Sequence, residues 1–391
     1  MGLNKQTLFI ALIMNKILII LPVLGDTKDS KRIKLLKEAG FIVNVAYYER
    51  KEFETRKPEA DSFILLGKVY NKKYLIRVII FIKSFFKLRK LIKENDLVYC
   101  IGADLAILAY FSAKFLDNKK FIIDIADIRE IQVSDLLISK LLRFIETYVT
   151  KRASLVVVTS KGFIDNYYNA KLGLTNMIFF LLENKVDYDI DIKTITENKK
   201  TNKITLGYLG MIRDEWTLLF LEKLINKYPE KFDCIIAGII KIDNFDINKF
   251  VSKNRGIKYY GPFQSPGDLP KLYKEIDVNL IFYPEMNSSM NWFEIKRICR
   301  SNRFYESLYF KKPIVSFSFT YDGIEIDKFQ IGLTLEDYDL KKSIDIVERE
   351  LTIEKIQFWR NNINSLSFDT FMFMNDSKIL GDKLQEIILK D

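Results

Sequence analysis

The chain of 391 residues is 48% apolar and 29% charged, which indicates a soluble globular protein long enough for two domains. Histidine is absent, which excludes hydrolases and metalloproteases that depend on an imidazole and disfavours zinc sites. The three cysteines, Cys100, Cys234 and Cys299, are widely spaced and odd in number. They therefore predict no disulfide framework and favour a reducing compartment.

The net charge of +10 is concentrated in the first half of the chain. Residues 1–190 hold 31 Lys and Arg against 21 Asp and Glu, whereas the remaining residues hold 30 of each. The densest stretch, 68–93, has nine basic residues and no acidic one, with Ile, Phe and Leu between them. No nucleic-acid motif accompanies it. The composition therefore favours an anionic membrane surface over nucleic acid, and predicts a cytoplasmic protein held at the inner face of the plasma membrane.

The first 25 residues contain an apolar run that Asn15 and Lys16 interrupt. The interruption makes the run a poor transmembrane span, and no small-residue cleavage site of a signal peptide follows. We interpret KILIILPV (16–23) as a buried first strand. Both Met1 and Met14 remain candidates for the natural start.

Strands and helices alternate through the first half. After the first strand, Asp29 or Ser30 is the expected cap of a helix that ends at Gly40. Residues 135–150 predict an amphipathic helix with a leucine-rich stripe. Further helices are predicted at 103–116 and 161–171, and further strands at 42–49, 62–67, 96–102, 121–127, 154–160 and 177–184.

The basic stretch predicts an amphipathic helix over 72–93. Its cations are expected to contact a membrane or an acceptor molecule, and they are Lys72, Lys73, Arg77, Lys83, Lys87, Arg89 and Lys90. An ordinary surface helix, whose lysine stems cover apolar surface, is the alternative.

Residues 187–203 are polar and without periodicity, which is typical of a linker. Alternation resumes after it. Strands are predicted at 204–210, 231–238, 257–263, 278–284 and 313–319, and helices at 215–227, 268–275, 302–312, 341–360 and 376–390. This pattern predicts an α/β protein with two facing Rossmann-like domains, each a doubly wound parallel sheet, at 14–186 and 204–360. Because such sheets bind ligands at the carboxyl ends of their strands, the cleft between the domains is the predicted site.

The segment NRFYESLYFKKPIV (302–315) poses the question of what Glu306 does. Asn302 is the expected helix cap, and Glu306 is then a carboxylate that suits the helix dipole. The functional alternative is that Glu306 accepts hydrogen bonds from ribose hydroxyls, while Arg303 and the helix N–H groups face phosphates.

The segment GYLGMIRDEW (207–216) joins a strand to a helix. A small residue at Gly210 lets a phosphate or sugar approach the backbone, and Arg213 is a candidate ligand of a diphosphate. An ordinary tight turn between strand and helix is the alternative.

In a chain without histidine, carboxylates are the leading candidates for a general base. Asp124 and Asp127 lie at the end of the predicted strand 121–127 and are the catalytic candidates, with Asp127 favoured because it lies further past the strand end. Capping of the next helix is the alternative role.

Several stretches, in order, resemble the bacterial GT-B glycosyltransferases of the broad family 4 and family 1 type, which occur in capsule and surface-polysaccharide clusters. They span most of residues 14–320 and read KILIILPV, SKRIKLLKEAGFIVNV, ASLVVVTSKGF, LLENKVD, ITLGYLGMIRDEW, IKYYGPFQSPGDLPKLYKEIDVNLIFYP and SNRFYESLYFKKPIV.

The resemblance implies that the C-terminal domain binds a nucleotide-sugar and the N-terminal domain an acceptor, a glycan or a polyprenyl-linked saccharide. The group's Asn-Lys-x-x-Glu motif appears here as Asn302, Arg303 and Glu306, with Ser307 beside it, and Gly210 and Arg213 match the group's glycine loop at the donor. It also implies that the closing segment, 361–391, packs back onto the N-terminal domain. No cofactor or metal is expected.

The sequence departs from the group at one position of the motif. Many family 4 enzymes have a second Glu eight positions earlier, where this chain has Ile298, so the stereochemistry stays open. The predicted function is transfer of a sugar to a glycan or lipid-linked acceptor. Three alternatives remain: a non-catalytic GT-B subunit, a sugar-nucleotide epimerase, and an unrelated two-domain Rossmann protein, against which the lack of GxGxxG argues.

Overall fold

The structure is a computed structural model of the chain. It describes residues 14–49, 58–69, 74–114, 116, 119–188, 190, 203–283 and 298–390. Lys72, Lys73, the side chain of Arg77 and most of the predicted linker lie outside the described residues.

The first sheet has seven parallel strands in the order β3-β2-β1-β4-β5-β6-β7. Their bounds are β1 Lys16–Leu21, β2 Ile42–Glu49, β3 Ser62–Lys68, β4 Leu97–Ile101, β5 Lys120–Ile125, β6 Leu155–Val158 and β7 Phe179–Leu181. Side chains of β1 alternate between two cores: Leu18 and Ile20 face one, and Ile17 and Ile19 face the other. The continuous apolar run of this strand is therefore explained by burial on both faces of the sheet.

Helices cover both faces of this sheet. They are α1 Thr27–Glu38, α2 Tyr74–Lys93, α3 Ala103–Ala113, α4 Glu130–Val133, α5 Leu137–Thr150 and a π-helix at Phe163–Asn169. The predicted cap of α1 is wrong, because Asp26 is the residue whose side chain accepts from a backbone N–H, that of Lys28 at 3.0 Å. Asp29 lies inside the helix and is buried.

The second sheet has six parallel strands in the order β10-β9-β8-β11-β12-β13. Their bounds are β8 Ile204–Ile212, β9 Phe232–Ile240, β10 Ile257–Tyr259, β11 Val278–Leu280, β12 Ile314–Phe317 and β13 Gly332–Leu335. The helices in this half of the chain are α6 Glu215–Lys227, α7 Ile247–Lys253, α8 Leu269–Glu275, α9 Asn302–Tyr309, α10 Tyr321–Phe329, α11 Leu340–Glu350, α12 Ile353–Ser365 and α13 Asp376–Leu389. The two doubly wound parallel sheets confirm the predicted fold class.

The single helix predicted over 341–360 is wrong, because two helices occupy this region. Leu351 ends α11 and is fully buried, and Thr352 caps α12 by accepting from the N–H of Lys355. A threonine in extended conformation satisfies the first N–H groups of a new helix, so the chain restarts instead of continuing. The sequence pattern also did not predict α4, α7, α10 and β13, which are short.

The last helix lies against the first domain. Leu380, Leu384 and Ile387 of α13 belong to the core that contains Ile17 and Ile19 of β1. At the crossing with α1, a Cβ on Gly381 would lie 2.8 Å from the Cβ of Ala39, so the two backbones approach closely. By contrast, α12 stays with the second sheet, where Ile356 and Trp359 are buried.

Candidate functional site

A cleft of about 630 Å³ lies between the carboxyl edges of the two sheets. The first domain contributes Thr27 and Lys28 from the start of α1, and Asp127 from beyond β5. The second contributes the end of β8 and the N-terminus of α9. This is the place where two facing doubly wound sheets are expected to bind a ligand.

The end of β8 forms one wall through Gly210. Its φ of +108° is in the region that favours glycine. The neighbouring strand β9 approaches so closely that a Cβ on Gly238 would lie 1.6 Å from the carbonyl oxygen of Gly210. The glycine pair therefore sets the position of the backbone that lines the cleft.

Helix α9 directs its N-terminus at the same wall. Its cap is Ser301, whose side chain accepts from the N–H of Phe304 at 3.2 Å, and not Asn302, which is the first helical residue and lines the cleft. Glu306 is the fifth residue of the helix, so it lies beyond the first turn and has no capping role. The interpretation of Glu306 as a simple cap carboxylate is therefore wrong.

Arg303 lies against the glycine loop. Its Cδ would be 3.6 Å from a Cβ on Gly210, and its Nη1 donates to the carbonyl oxygen of Leu209 at 3.4 Å. The guanidinium carbon is 5.9 Å from the centre of the Tyr283 ring. Two residues that are 93 positions apart, Gly210 and Arg303, thus meet as neighbours in the cleft wall.

Glu306 also lines the cleft, one turn further along α9. Burial raises the pKa of its carboxyl, and the positive charges of Lys31 and Arg303 and a hydrogen bond from the Tyr273 hydroxyl oppose that rise. Lys31 comes from α1 in the first domain, where its Nζ donates to the carbonyl oxygen of Lys185 at 2.7 Å. The electrostatic field at the Glu306 carboxyl therefore includes a cation from each domain.

Arg213 and Asp214 follow β8 and both line the cleft. Asp214 is occupied, because it caps α6 at 2.7 Å from the N–H of Thr217 and accepts from the Tyr208 hydroxyl at 2.5 Å. Arg213 is exposed, and no hydrogen bond or ion pair holds it within the part of the chain that the structure describes. Its guanidinium is therefore available to an anionic ligand.

Ser307 does not reach the cleft. It is fully buried, donates to the carbonyl oxygen of Arg303 at 2.6 Å and accepts from the side-chain amide of Asn279 at 2.8 Å. These contacts anchor α9 on β11. Ser307 thus holds in place the helix that carries the predicted donor site, and it does not line the site.

The two catalytic candidates differ in their surroundings. Asp127 is exposed and lines the cleft. Burial lowers the pKa of the nearby Lys28 ammonium, but the charges of Asp26, Asp29 and Asp127 more than offset this and raise it. Asp124 is 1% exposed, and its Oδ2 accepts from Arg32 at 2.7 Å and from the Tyr99 hydroxyl at 2.6 Å. The geometry presents Asp127 to a substrate, whereas Asp124 is enclosed in the core.

Arg300 is a cleft residue that the sequence reading missed. Its guanidinium lies 3.6 Å from Asp322, 3.7 Å from Glu183 and 3.9 Å from Glu325, and it covers the ring of Tyr321 at 4.3 Å. Glu183 belongs to the first domain, so this cluster joins the two walls. The local sequence around Arg300, CRSNR, does not predict this cluster, because Glu183, Asp322 and Glu325 come together only in the folded chain.

The predicted membrane-contacting cations lie on α2. Lys83, Lys87 and Lys90 are exposed, although Lys87 donates to the carbonyl oxygen of Leu65 at 2.8 Å. Arg89 is held by the carbonyl oxygens of Ser112 and Lys114, at 2.9 and 2.7 Å. Within the described residues, α2 included, no helix has the length and hydropathy that a membrane crossing requires.

Known proteins resemble this chain over nearly its whole length. No model of a protein family matches the sequence. The succinoglycan biosynthesis protein ExoL of Rhizobium meliloti is 22% identical over 341 residues, which cover 84% of this chain and 83% of that protein.

Three solved structures show the same fold at low identity. A sucrose-phosphate synthase from Thermosynechococcus elongatus is 11% identical with a TM-score of 0.69, covering 95% of this chain and 99% of that one. HepE of Anabaena, solved with UDP and glucose, is 13% identical with a TM-score of 0.63, covering 94% and 99%. A UDP-N-acetylglucosamine 2-epimerase is 12% identical with a TM-score of 0.58, covering 95% and 96%. The chain therefore has the GT-B fold of the glycosyltransferases, and its sequence resembles that of a protein of bacterial polysaccharide biosynthesis.

Proposed function

We propose that this chain is a glycosyltransferase of surface-polysaccharide biosynthesis, which moves a sugar from a nucleotide-sugar to a glycan or polyprenyl-linked saccharide. The observation that carries the proposal is the meeting of Gly210, Arg303 and Glu306 on one wall of the cleft. These residues come from two distant stretches that resemble the donor motifs of GT-B enzymes. The structure of HepE with UDP and glucose, and the relationship to a succinoglycan biosynthesis protein, support the same function.

The donor would be held by the second domain. A carboxylate accepts hydrogen bonds from vicinal hydroxyls, so Glu306 would bind the ribose. The diphosphate would lie between Arg303, Arg213 and the N–H groups at the start of α9. This set of cations and N–H groups can stabilise the negative charge that develops on the leaving diphosphate, so we propose a metal-independent transfer.

The acceptor would enter from the first domain, where Asp127 faces the cleft. A hydroxyl of the acceptor attacks the anomeric carbon of the donor sugar. The bond from that carbon to the diphosphate oxygen breaks, and the diphosphate takes the electron pair. In an inverting reaction Asp127 would accept the hydroxyl proton. In a retaining reaction the leaving phosphate would accept it, and Asp127 would orient the acceptor. Closure of the cleft would exclude water and limit donor hydrolysis.

An epimerase is the second candidate, because a UDP-N-acetylglucosamine 2-epimerase shares the fold. Such an enzyme must form and break bonds to hydrogen on the sugar ring without histidine in this chain. The two candidates differ in their need for an acceptor. Conversion of a nucleotide-sugar to its isomer in the absence of any acceptor would favour the epimerase.

Donor binding tests the proposal directly. Melting temperatures measured with UDP-, GDP-, dTDP- and CMP-sugars should rise for at least one donor, since a ligand of the folded state stabilises it. The variant Glu306→Gln should weaken that donor by roughly 10- to 100-fold, because a charged hydrogen bond is lost. Glu354→Gln, an exposed carboxylate on α12, is the control and should bind as the wild type does. No shift with any nucleotide-sugar would overturn the proposal.

A further inference from the structure

Helix α5 turns its apolar side to solvent. Leu137 is 83% exposed, Phe144 70%, Leu141 53% and Ile138 51%. The buried residues of the same helix are Ser139, Glu146, Val149 and Thr150, of which three are polar. The first part of the leucine-rich stripe, with Leu137 and Leu141, therefore lies on the outside, whereas Val149 at its end is buried. An ordinary surface helix would turn such leucines inward.

Polar contacts on the inner side fix this orientation. Glu146 accepts from the Tyr167 hydroxyl at 2.8 Å and from the side-chain amide of Gln132 at 3.0 Å. Arg143 donates to the carbonyl oxygens of Gln132 and Ser134, at 2.9 and 2.8 Å. Rotation of α5 to hide its leucines would break these buried hydrogen bonds, so the exposed stripe is a stable feature of the fold.

Helix α2 extends the apolar surface. It packs on α3, and α3 packs on α5, so the three helices form one layer. Leu88 of α2, Leu105 of α3 and Val149 of α5 enter the same core, so the outer sides of the helices face the same way. We call the exposed apolar side chains of this layer the outer ridge. It consists of Ile76, Ile79, Ile82 and Phe86 on α2, Phe111 on α3, and Leu137, Ile138, Leu141, Phe144 and Tyr148 on α5.

Basic residues surround the outer ridge. Lys83, Lys87 and Lys90 on α2 and Lys140 on α5 are exposed. Helix α2 contains no acidic residue, and the only one of α5, Glu146, is 3% exposed. Bulky apolar side chains with cations between them, and no exposed carboxylate on these two helices, match an anionic lipid surface.

We infer that the outer ridge docks this protein on an anionic bilayer, with the apolar side chains of α5 and α2 inserted between lipid headgroups. A second copy of the chain fits less well, because a two-fold contact would place Lys83, Lys87 and Lys140 opposite the same cations of the partner.

The position of α5 also suits the reaction. A helix that follows a parallel strand begins near the carboxyl end of that strand, so Leu137 and Ile138 lie towards the edge of the sheet that holds Asp127. Docking through α5 would bring the cleft close to the lipid surface. This role of α5 rests on the proposed function, in which the acceptor is a membrane-anchored saccharide.

Vesicle sedimentation of the full-length protein tests the inference. Wild-type protein should sediment with phosphatidylcholine vesicles that contain phosphatidylglycerol, less so with phosphatidylcholine alone, and more weakly as salt rises. The double variant Leu141→Glu/Phe144→Glu should bind at least tenfold more weakly. Phe358→Glu, which changes a 50% exposed side chain on α12, is the matched control and should bind as wild type.

Melting temperature and donor binding keep the result interpretable. All the substituted residues are exposed, so the variants should melt within a few degrees of wild type and keep the nucleotide-sugar shift. The inference would be overturned if wild-type protein bound neither type of vesicle, or if the double variant bound as wild type does. Either result would leave the donor-binding test unaffected. A wild-type dimer that the double variant dissociates, with no vesicle binding by either, would assign the ridge to a second copy and also overturn it.

Discussion

Arg32 donates a 2.7 Å hydrogen bond from Nε to Oδ2 of Asp124, and both side chains are almost completely buried. Arg32 also donates to the carbonyl oxygen of Leu182, and the Tyr99 hydroxyl donates to the same carboxylate oxygen. The pair thereby joins α1, β4, β5 and the chain after β7. An aspartate that the sequence places beside the cleft is thus part of the connection between four elements of the first domain.

Removal of this charge should destabilise the protein strongly. Asp124→Asn leaves the Arg32 guanidinium buried without its counter-ion, and the free energy of unfolding should fall by about 3–5 kcal/mol. Urea unfolding followed by circular dichroism measures it. Asp127→Asn, on an exposed carboxylate, should change the same quantity by less than about 0.5 kcal/mol. Equal stability of the Asp124→Asn variant and wild type would contradict the structural role.

Substitution of Asp127 should affect turnover, although it should hardly affect stability. If Asp127 accepts the acceptor proton, Asp127→Asn should lower kcat by about 10²- to 10⁴-fold. Donor affinity, measured by the nucleotide-sugar melting shift, should stay within twofold of wild type, because the proposed donor site is on the other wall. Near-native turnover by this variant would remove Asp127 from the mechanism.

The contact between β8 and β9 should tolerate no side chain. In Gly238→Ala the new Cβ would lie 1.6 Å from the Gly210 carbonyl oxygen at a φ of +136°, so the backbone must move. Steric overlap and strain together should cost about 3 kcal/mol or more and weaken donor binding. Gly261→Ala is the control: its φ is +81° and nothing lies within 4 Å, so its cost should be about 1 kcal/mol. Equal losses in both variants would show that the contact is looser than the structure has it.

Stability should depend on pH through Glu146 on α5. Burial raises the pKa of its carboxyl from 4.5 to about 7, against hydrogen bonds from Gln132 and Tyr167 that lower it. The folded state therefore holds this proton more tightly than the unfolded chain. Its contribution is fully present below about pH 4.5 and is lost as the pH rises through 7.

The variant Glu146→Gln isolates this contribution. Burial likewise raises the pKa of Asp29 to about 8 and of Asp322 to about 6, so only the difference between wild type and variant is informative. Between pH 4.5 and 8 the wild type should lose roughly 2–4 kcal/mol more unfolding free energy than the variant. Urea titrations across this range measure it, and parallel curves would contradict a buried, protonated Glu146.

Much of the architecture follows from local pattern. The continuous apolar run of β6 predicts a strand buried on both faces, and the alternation of strands with helices predicts parallel sheets. Helix α6 begins and ends where its periodicity predicts, at Glu215 and Lys227. The predicted donor residues Gly210 and Arg303 share a wall because parallel strands end at a common edge.

Other features depend on long-range contacts that no local pattern contains. The leucine stripe of α5 is visible in the sequence, but its outward direction follows from Tyr167 and Gln132, which hydrogen-bond Glu146 on the inner side. Asp124 and Asp127 look alike as strand-end carboxylates, yet Arg32 on α1 encloses one of them and leaves the other in the cleft. The sequence by itself thus determined the fold and the residues with the required chemistry. Only the tertiary structure decided which of them face the cleft, because burial and counter-ions are supplied by elements far apart in the chain.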